Sequence, residues 1–383
     1  MEGGVTAPGA HPQVQAGLEG VVASTSAVSF VDGAEGRLLY QGYDIHDLAA
    51  HSTFEEVVYL LWHGALPTRV QLKALRKELG DARALPPDVL KMVGMLPRSA
   101  DPMDVLRTVV SALGLYDPDA HDQTTASNVR KATRLVAQFP TIIAGYHRFR
   151  QDRSPVAPRP QQSHAADFLS MLFGTKPDPE HVRAMDLALI LQADHELNAS
   201  TFSARVTAAT LSDIYSATTS AIGTLKGPLH GGANEGVMKL LQEIGSIERV
   251  EGTIRDLLAR KEKVPGFGHR VYRTEDPRAR HLRALAESLG AKAGELRWFE
   301  MTRKVEEVVT QEKRIYPNVD LYSASVYAAM GIPLDLFTPI FAVSRISGWT
   351  AHILEQYADN RLIRPRAEYV GPTRREYVPL DLR

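Results

Sequence analysis

Four short segments combine helix-breaking residues with side chains that can exchange protons. They contain His195 in HELNAS, His230 in GPLHGGAN, His269 in PGFGHRVYRTEDPR and Asp320 in YPNVDLYS. Histidine is the side chain most easily set to donate or accept a proton near neutral pH, and a carboxylate can act as a base. Loops at helix ends also leave backbone donors free. These segments are therefore the candidates for acid–base chemistry.

The two central histidines each lie beside glycines. His230 stands between Gly227-Pro228 and a Gly-Gly pair, so its ring could face a cleft while a ligand approaches the backbone. His269 follows PGFG, a loop with little side-chain bulk. For each histidine the alternative is a structural role at a helix end, satisfied by a backbone carbonyl. Both interpretations stay open on local sequence.

Asp320 precedes the helical run LYSASVYAAMG. The local sequence favours an ordinary helix N-cap at Asp320, because Asp is among the best capping residues. A buried carboxylate that acts as a base is the alternative interpretation.

Two arginines have the sequence context of anion-binding groups. Asp276-Pro277 predicts an N-cap followed by a first-turn proline, which places Arg278 in the first turn of a helix beside free N–H groups. A guanidinium there would clamp a carboxylate well. Arg345 lies in the apolar run FAVSRISGW, and a buried arginine needs an anionic partner, either internal or a substrate.

Composition excludes several classes of function. Lys plus Arg (44) balances Asp plus Glu (45), which leaves no basic field for nucleic acid or an acidic membrane surface. The chain has no cysteine, and its candidate histidines do not have metal-ligand spacing, so no metal site is expected. Gly266-x-Gly268 lacks the third glycine and the preceding strand of a dinucleotide-binding fingerprint. A small-molecule substrate is the expectation.

The N-terminus has neither a secretory nor a transit-peptide pattern, and no apolar run approaches a membrane span in length. We therefore expect a soluble cytoplasmic protein. Residues 1–16 are rich in Gly, Ala and Pro and predict a flexible arm.

The pattern along the chain is mainly helical. Two strand-like runs flank Asp32-Gly33, which predicts a small β-hairpin. Thr53 with Glu56 forms a capping-box pattern that starts a helix, and Gly64 can end it. No strong alternating pattern follows residue 45. Residues 221–327 are more charged than the rest and contain several helix-breaking Gly and Pro residues, which predicts a separate lobe there.

Six segments, in order, resemble the signature segments of the citrate synthase family. They are HELNASTFSARV, GPLHGGANEGV, VPGFGHRVYRTEDPRA, YPNVDLYSASVY, FAVSRISGW and NRLIRPRAEYVGP. The resemblance extends from about residue 17 to the C-terminus, and the length is similar to that of the compact archaeal and bacterial members.

The resemblance implies an all-α homodimer with a minor N-terminal β-hairpin. A large helical domain, residues 17–220 and 328–383, would be interrupted by a small helical domain, residues 221–327. The active site would lie in the cleft between the two domains.

The resemblance also implies a role for each matched residue. Asp320 would abstract a methyl proton from acetyl-CoA, His230 would support the enol oxygen, and His269 would polarise the oxaloacetate carbonyl. Oxaloacetate would be bound by His195, Asn198, Arg278, Arg345 and, from the other subunit, Arg364. The CoA adenine would be received by Val264, Gly266, Phe267 and Gly268, with Arg273 as a phosphate contact.

The implied activity is that of an acyltransferase that makes citrate from acetyl-CoA and oxaloacetate through citryl-CoA. Acetyl-CoA would be a co-substrate, with no tightly bound cofactor. The nearest alternative is 2-methylcitrate synthesis from propionyl-CoA. From another class, the chain could be a catalytically silent helical scaffold that binds CoA, but such a scaffold has no need to keep His230, His269 and Asp320 together.

Overall fold

The computed structural model describes residues 15–383, and helices dominate this part of the chain. The sixteen α-helices there are α1 (Ile45–His51), α2 (Phe54–His63), α3 (Arg69–Ala82), α4 (Pro87–Met95), α5 (Pro102–Tyr116), α6 (Thr125–Phe149), α7 (His164–Phe173), α8 (Pro179–Gln192), α9 (Ala199–Ala208), α10 (Ile214–Leu225), α11 (Ala233–Ile244), α12 (Ile247–Ala259), α13 (Ala279–Ala293), α14 (Leu296–Lys313), α15 (Val319–Ala329) and α16 (Phe337–Ala358). The predicted all-α fold is confirmed. The predicted arm at residues 1–16 lies almost entirely outside the described residues.

A small antiparallel sheet precedes the helices. Strands β1 (Ser29–Asp32), β2 (Arg37–Tyr40) and β3 (Tyr43–Asp44) are joined in chain order. In the turn between β1 and β2, the Asp32 Oδ1 accepts the N–H groups of Ala34 and Glu35, both at 2.9 Å. The hairpin expected at Asp32-Gly33 is therefore confirmed, and the short third strand is an addition to it.

Local capping patterns fix several helix ends. Helix α2 begins at the predicted capping box, in which the Glu56 carboxylate accepts the Thr53 N–H at 2.8 Å. The helix ends at Gly64, which has a φ of 76°. A positive φ is available to glycine without strain, so this residue terminates the helix as its sequence position predicts.

Helix α16 is the centre of the larger helical group. It is buried along most of its length and packs against α2, α6, α8, α9 and α10. Its buried residues lie on all sides of the helix, so neighbouring helices have to enclose it. At Gly348 a side chain would collide with the carbonyl oxygen of Ala193, and the Gly348 N–H donates to that oxygen at 3.1 Å. This close approach places the middle of α16 against the segment that carries His195.

Helices α11 to α15 pack chiefly against one another, whereas α10 packs against α5, α9 and α16. Residues 26–362 form one compact unit. Residues 15–25 and 363–383 belong to another unit, and they hold the short 3₁₀ turns Ala16–Leu18 and Leu380–Leu382. Among the described helices, none has the length and apolar character needed to cross a membrane.

Candidate active site

His269 is held as a neutral imidazole with one free N–H. Its Nδ1 accepts the backbone N–H groups of Val271 at 3.0 Å and Tyr272 at 3.1 Å. A ring nitrogen that accepts two hydrogen bonds carries no proton, so the proton is on Nε2. Burial, and then the Arg278 charge, lower the pKa of His269 to about 4. At neutral pH the side chain is therefore a fixed Nε2–H donor.

His230 is held with the opposite nitrogen protonated. The backbone N–H of Ser200 donates to His230 Nε2 at 3.3 Å, and the Ser200 hydroxyl lies 2.8 Å from the same atom. Because a backbone N–H can only donate, Nε2 is the acceptor and Nδ1 carries the proton. Burial, followed by the Arg345 charge, lowers the pKa of His230 to about 4. His230 is therefore a neutral Nδ1–H donor.

A close turn presents His230. The His230 N–H donates to the Gly227 carbonyl at 2.9 Å, and the Gly231 N–H donates to the Leu225 carbonyl at 2.9 Å. A Cβ on Gly231 would lie 2.6 Å from that carbonyl oxygen. Glycine is needed there because the chain turns back directly onto the end of α10.

Asp320 is a buried carboxylate in the first turn of α15. The N-cap of this helix is Asn318, whose Oδ1 accepts the Asp320 N–H at 3.0 Å. The capping role favoured for Asp320 from local sequence is therefore wrong, because Asn318 already supplies it. Asp320 Oδ1 is shielded from solvent and has no hydrogen-bond partner within residues 15–383.

The surroundings of Asp320 raise its proton affinity. Burial raises the pKa of Asp320 to about 7, while Arg278 and Arg345 act in the opposite direction. Loss of water penalises the charged form more than the two guanidinium groups favour it. A carboxylate with a pKa near the working pH combines a useful ionised fraction with proton affinity.

The loop that carries His269 is joined to the start of α15. The Gly268 N–H donates to the Tyr316 carbonyl at 3.1 Å, and the Asn318 N–H donates to the Gly266 carbonyl at 3.0 Å. The Asn318 amide also donates to the Gly268 carbonyl at 3.1 Å. These three bonds connect the histidine loop to the helix that presents Asp320, so the two groups are positioned together.

Gly266 is required at this junction. Its φ is 83°, and an added Cβ would lie 2.8 Å from Val237 Cγ2 and 3.0 Å from Leu321 Cα. Both the backbone conformation and the space exclude a side chain. The glycine therefore allows the loop to lie directly on α11 and α15.

Arg278 forms a buried ion pair with Asp276. Its guanidinium donates to the two carboxylate oxygens at 2.9 and 2.7 Å, and its backbone N–H donates to Asp276 Oδ1 at 3.0 Å. Helix α13 consequently begins at Ala279 with Arg278 at the N-cap, later than the Asp-Pro pattern predicted. The difference arises because Asp276 folds a turn around Arg278 before the helix starts. The guanidinium is held rigidly as a result.

Arg345 is buried without a carboxylate partner. Its Nε donates to the Gln192 carbonyl at 2.7 Å, and its guanidinium lies 4.7 Å from the Phe341 ring centroid. No salt bridge to Arg345 forms anywhere in the described part of the chain, although Asp194 contributes at longer range. Burial lowers the pKa of Arg345 to about 10. An incompletely compensated buried cation is a position for a substrate anion.

His195 lies beside His269. Their ring centroids are 4.9 Å apart, and His195 Nε2 lies 3.2 Å from the Tyr272 hydroxyl. Burial, then Arg278 and His269, lower the pKa of His195 far below its ordinary value. The charges of both Arg278 and Arg345 reach His195 and Asp320, so the two arginines are common neighbours of these groups.

Asn198 caps α9. Its Oδ1 accepts the Thr201 N–H at 3.1 Å, while its amide donates to Thr201 Oγ1 at 2.9 Å. These bonds fix the loop between His195 and the residue that supports His230. The predicted contact of Asn198 with substrate stays a prediction.

The remaining predicted residues differ in exposure. Val264 and Gly266 are buried, Phe267 and Gly268 are half-buried, and Arg273 and Arg364 are exposed. The Arg273 N–H donates to the Gly33 carbonyl at 2.8 Å, which ties this loop to the β1–β2 turn. The predicted CoA contacts and the predicted role of Arg364 stay predictions.

Sequence reasoning missed four supporting residues. Ser200 supports His230, Asp276 pairs with Arg278, Gln192 binds Arg345, and Tyr272 contacts both His195 and His269. Asp276 stood in the motif as a supposed cap, and nothing in the local sequence signals the other three partnerships.

A helical fold that holds a buried carboxylate, two neutral imidazole donors and a buried arginine without an ion pair defines a class of acid–base enzymes for anionic substrates. Residues 17–366 match the family model described as "Citrate synthase, C-terminal domain". The chain belongs to the citrate synthase family.

Named relatives agree with this assignment. The chain is 53% identical over 368 residues to "Citrate synthase 2" of Bacillus subtilis, covering 96% of this chain and 98% of the relative. It is 44% identical to "2-methylcitrate synthase" of Shewanella oneidensis, covering 95% and 97%. A structure of the Thermoplasma acidophilum citrate synthase, in a ternary complex with carboxymethyl coenzyme A and oxaloacetate, aligns with a TM-score of 0.92 at 36% identity, covering 96% and 99%.

Proposed function

We propose that the protein is an acyltransferase that condenses acetyl-CoA with oxaloacetate to give citrate and CoA. The observation that carries this proposal is the buried Asp320 Oδ1, which has no hydrogen-bond partner in the described part of the chain and lies at the start of the helix to which the His269 loop is bonded. Membership of the citrate synthase family gives the reaction class. Acetyl-CoA acts as a co-substrate, with no tightly bound cofactor.

The first step forms an enol from acetyl-CoA. Asp320 removes a methyl proton while the Nδ1–H of His230 donates to the thioester oxygen. The α-proton of a thioester is only weakly acidic, so its removal needs stabilisation of the oxygen charge as it develops. A neutral imidazole gives this stabilisation without leaving a cation in the buried site.

The second step forms the carbon–carbon bond. The Nε2–H of His269 polarises the ketone carbonyl of oxaloacetate, and the enol carbon attacks it. His195, Asn198, Arg278 and Arg345 hold the two carboxylates, and Arg364 of a second subunit completes the pocket. The unpaired Arg345 supports this arrangement, because substrate would supply the missing anion. Hydrolysis of the resulting citryl-CoA releases citrate.

The CoA moiety binds along the loop that ends at His269. Val264, Gly266, Phe267 and Gly268 receive the adenine, and the exposed Arg273 contacts a phosphate. Because this loop is bonded to the start of α15, CoA binding would act directly on the position of Asp320. We expect oxaloacetate to bind first and to promote closure of the site.

The domain division follows from the same proposal. Residues 221–327 form the small domain, and residues 17–220 and 328–383 form the large one. The mutual packing of α11 to α15 supports a separate small domain. The enzyme is a homodimer in the cytoplasm.

A specific observation favours one alternative substrate, propionyl-CoA. A relative that is 44% identical is named 2-methylcitrate synthase. A pocket distinguishes one methylene by only about 1 to 3 kcal/mol, so both acyl-CoAs should be turned over to some extent.

A direct assay tests the function. Purified protein is supplied with oxaloacetate and both acyl-CoAs together, CoA release is followed with a thiol reagent, and the products are identified by mass spectrometry. The chain has no cysteine, so the folded protein contributes no thiol background. Citrate as the main product supports the proposal, and 2-methylcitrate as the main product supports the alternative. Folded protein that releases no CoA would show a silent scaffold.

A further inference from the structure

Tyr272 contacts both histidines of the oxaloacetate side of the site. Its backbone N–H donates to His269 Nδ1 at 3.1 Å, and its hydroxyl lies 3.2 Å from His195 Nε2. The Tyr272 ring centroid is 4.6 Å from that of His269 and 5.4 Å from that of His195. Tyr272 is only 4% exposed. The three rings thus form one cluster in which each contacts the other two, with His195 and Tyr272 buried and His269 half-buried.

The backbone around Tyr272 is held by the hairpin turn. The N–H of Arg273 donates to the Gly33 carbonyl at 2.8 Å, and a Cβ on Gly33 would collide with the Val271 carbonyl oxygen. The residues on both sides of Tyr272 therefore lie against the β1–β2 turn. This support fixes the position of the phenol as well as that of the backbone N–H.

The phenol is the donor in its bond to His195. A phenol is a stronger acid than a neutral imidazole, and an imidazole nitrogen is a stronger base than a phenol oxygen. Burial also raises the pKa of Tyr272 above its ordinary value, so the hydroxyl keeps its proton. The hydroxyl donates to Nε2, and the single proton of neutral His195 is then on Nδ1.

We propose that Tyr272 is a positioning residue that fixes opposite tautomers in His195 and His269 before oxaloacetate binds. Its phenol makes Nε2 of His195 an acceptor, and its backbone N–H helps to make Nε2 of His269 a donor. Neutral His195 also avoids adding a third positive charge beside Arg278 and Arg345. The proposal rests on the proposed function, because it assigns these histidines to oxaloacetate.

The consequence for binding is a site with one defined N–H for the ketone. If the proton of His195 moved freely between its two nitrogens, the site would offer competing donors to the same substrate. With Tyr272 in place, Nε2 of His269 offers an N–H to the ketone and Nε2 of His195 does not. Tyr272 therefore acts on oxaloacetate through the two imidazoles.

Tyr272→Phe tests this inference because it removes the hydroxyl and keeps the ring and the backbone. Imidazole ¹⁵N spectra of the ligand-free protein report which nitrogen carries the proton. The wild type should show His195 with an unprotonated Nε2 and His269 with a protonated Nε2. In Tyr272→Phe the His195 signals should move towards a tautomer mixture, and the His269 signals should stay, because their backbone donors remain.

Kinetics supply a second readout. Loss of one hydrogen bond that orders the site should raise the oxaloacetate KM by about tenfold, while kcat and the acetyl-CoA KM change by less than about twofold. Tyr146→Phe is the matched control, because its hydroxyl donates to the carbonyls of Pro97 at 2.7 Å and Ala100 at 2.8 Å, away from the site. The control should lower Tm and leave the histidine spectra and both KM values unchanged.

Three results would overturn the inference: a protonated His195 Nε2 in the wild type, unchanged His195 signals in Tyr272→Phe, or an oxaloacetate KM that stays within about twofold of wild type. The wild-type spectrum decides the question even if Tyr272→Phe does not fold. A wild-type protein without CoA release would remove the proposed function, and the spectra would still test the tautomers separately.

Discussion

Lowering the pH from 8 to 6 should slow the reaction through Asp320 alone. Burial raises the pKa of Asp320 to about 7, so about nine tenths of this carboxylate is ionised at pH 8 and about one tenth at pH 6. His230 and His269, with pKa values of about 4, stay neutral over the whole range. We therefore expect the rate to fall by about tenfold, with a single ionisation.

The assay is CoA release at saturating oxaloacetate, measured as kcat/KM for acetyl-CoA at each pH. Bound oxaloacetate would add negative charge beside Arg278 and Arg345, which lower the pKa of Asp320 in the free protein, so the midpoint should lie at or above about 7. Asp320→Asn should leave a residual rate that does not change between pH 6 and 8. A flat wild-type profile, or the same pH dependence in Asp320→Asn, would refute the assignment of Asp320 as the base.

The same carboxylate should reduce the stability of the folded protein. Its pKa is higher in the folded state than in the unfolded state, so the folded protein holds the proton more tightly and loses stability as the pH rises from about 4 to 7. At pH 8 the cost is about 2 to 4 kcal/mol. Asp320→Asn should therefore raise Tm at pH 8 and lose this advantage near pH 4.

The other predictions concern charge, space and acid stability. Arg345→Met should raise the oxaloacetate KM by about 100-fold without lowering Tm, because Arg345 has no carboxylate partner among residues 15–383; a lower Tm would contradict this. Arg278→Met should both raise the oxaloacetate KM and lower Tm, because it leaves the buried Asp276 carboxylate unpaired at a cost of about 3 to 5 kcal/mol. An unchanged Tm in thermal scans, or an unchanged KM in saturation kinetics, would contradict this prediction. Gly266→Ala should remove most CoA release, because its Cβ would collide with Val237, whereas Gly252→Ala, with open space around its Cβ, should keep it. Equal activities would show that the close contact at Gly266 is not required. Burial lowers the pKa of His164 to about 3, so the wild-type protein loses stability as the pH falls below about 6.5. His164→Leu lacks this loss, so between pH 7 and 4.5 its free energy of unfolding, measured with urea, should gain about 3 kcal/mol relative to wild type. An equal loss of stability in wild type and His164→Leu would show that His164 does not cause the acid sensitivity.

Local patterns predicted the parts of the fold that depend on neighbouring residues. The capping box at Thr53 and Glu56 and the hairpin at Asp32 are set by short-range hydrogen bonds, and both are present. At α15 the local rule chose the wrong residue, because Asn318 and Asp320 are both good caps and the tertiary fold selects between them. The small third strand, Tyr43–Asp44, gave no alternating signal because it has only two residues.

The start of α13 shows why a correct motif can be misread. Asp276-Pro277 has the sequence of a cap and a first-turn proline, but the Asp276 carboxylate binds the Arg278 side chain and backbone instead. This competition between a side-chain ion pair and helix capping takes place inside the buried site. The sequence therefore singled out Arg278, and the three-dimensional structure supplied its partner, Asp276.

The chemistry of the histidines depends on contacts that the sequence does not display. Glycine-rich surroundings singled out His230 and His269, whereas their protonated nitrogens are set by backbone N–H groups of Ser200 and Tyr272. Ser200 lies 30 residues before His230, in helix α9, whereas His230 lies in the turn between α10 and α11. Similarly, the lack of an ion pair at Arg345 follows from the packing of α16 and is visible only in the fold.

Exchange of the acetyl methyl hydrogens with deuterated water separates enol formation from the formation of the carbon–carbon bond. The protein is incubated with acetyl-CoA and an unreactive 2-hydroxy dicarboxylate in the oxaloacetate site, and deuterium uptake is measured by mass spectrometry. Enol formation assigned to Asp320 and His230 predicts exchange in the wild type, none above background in Asp320→Asn, and continued exchange in His269→Gln, which affects only the second substrate. Wild-type exchange rates in Asp320→Asn would show that another group removes the methyl proton.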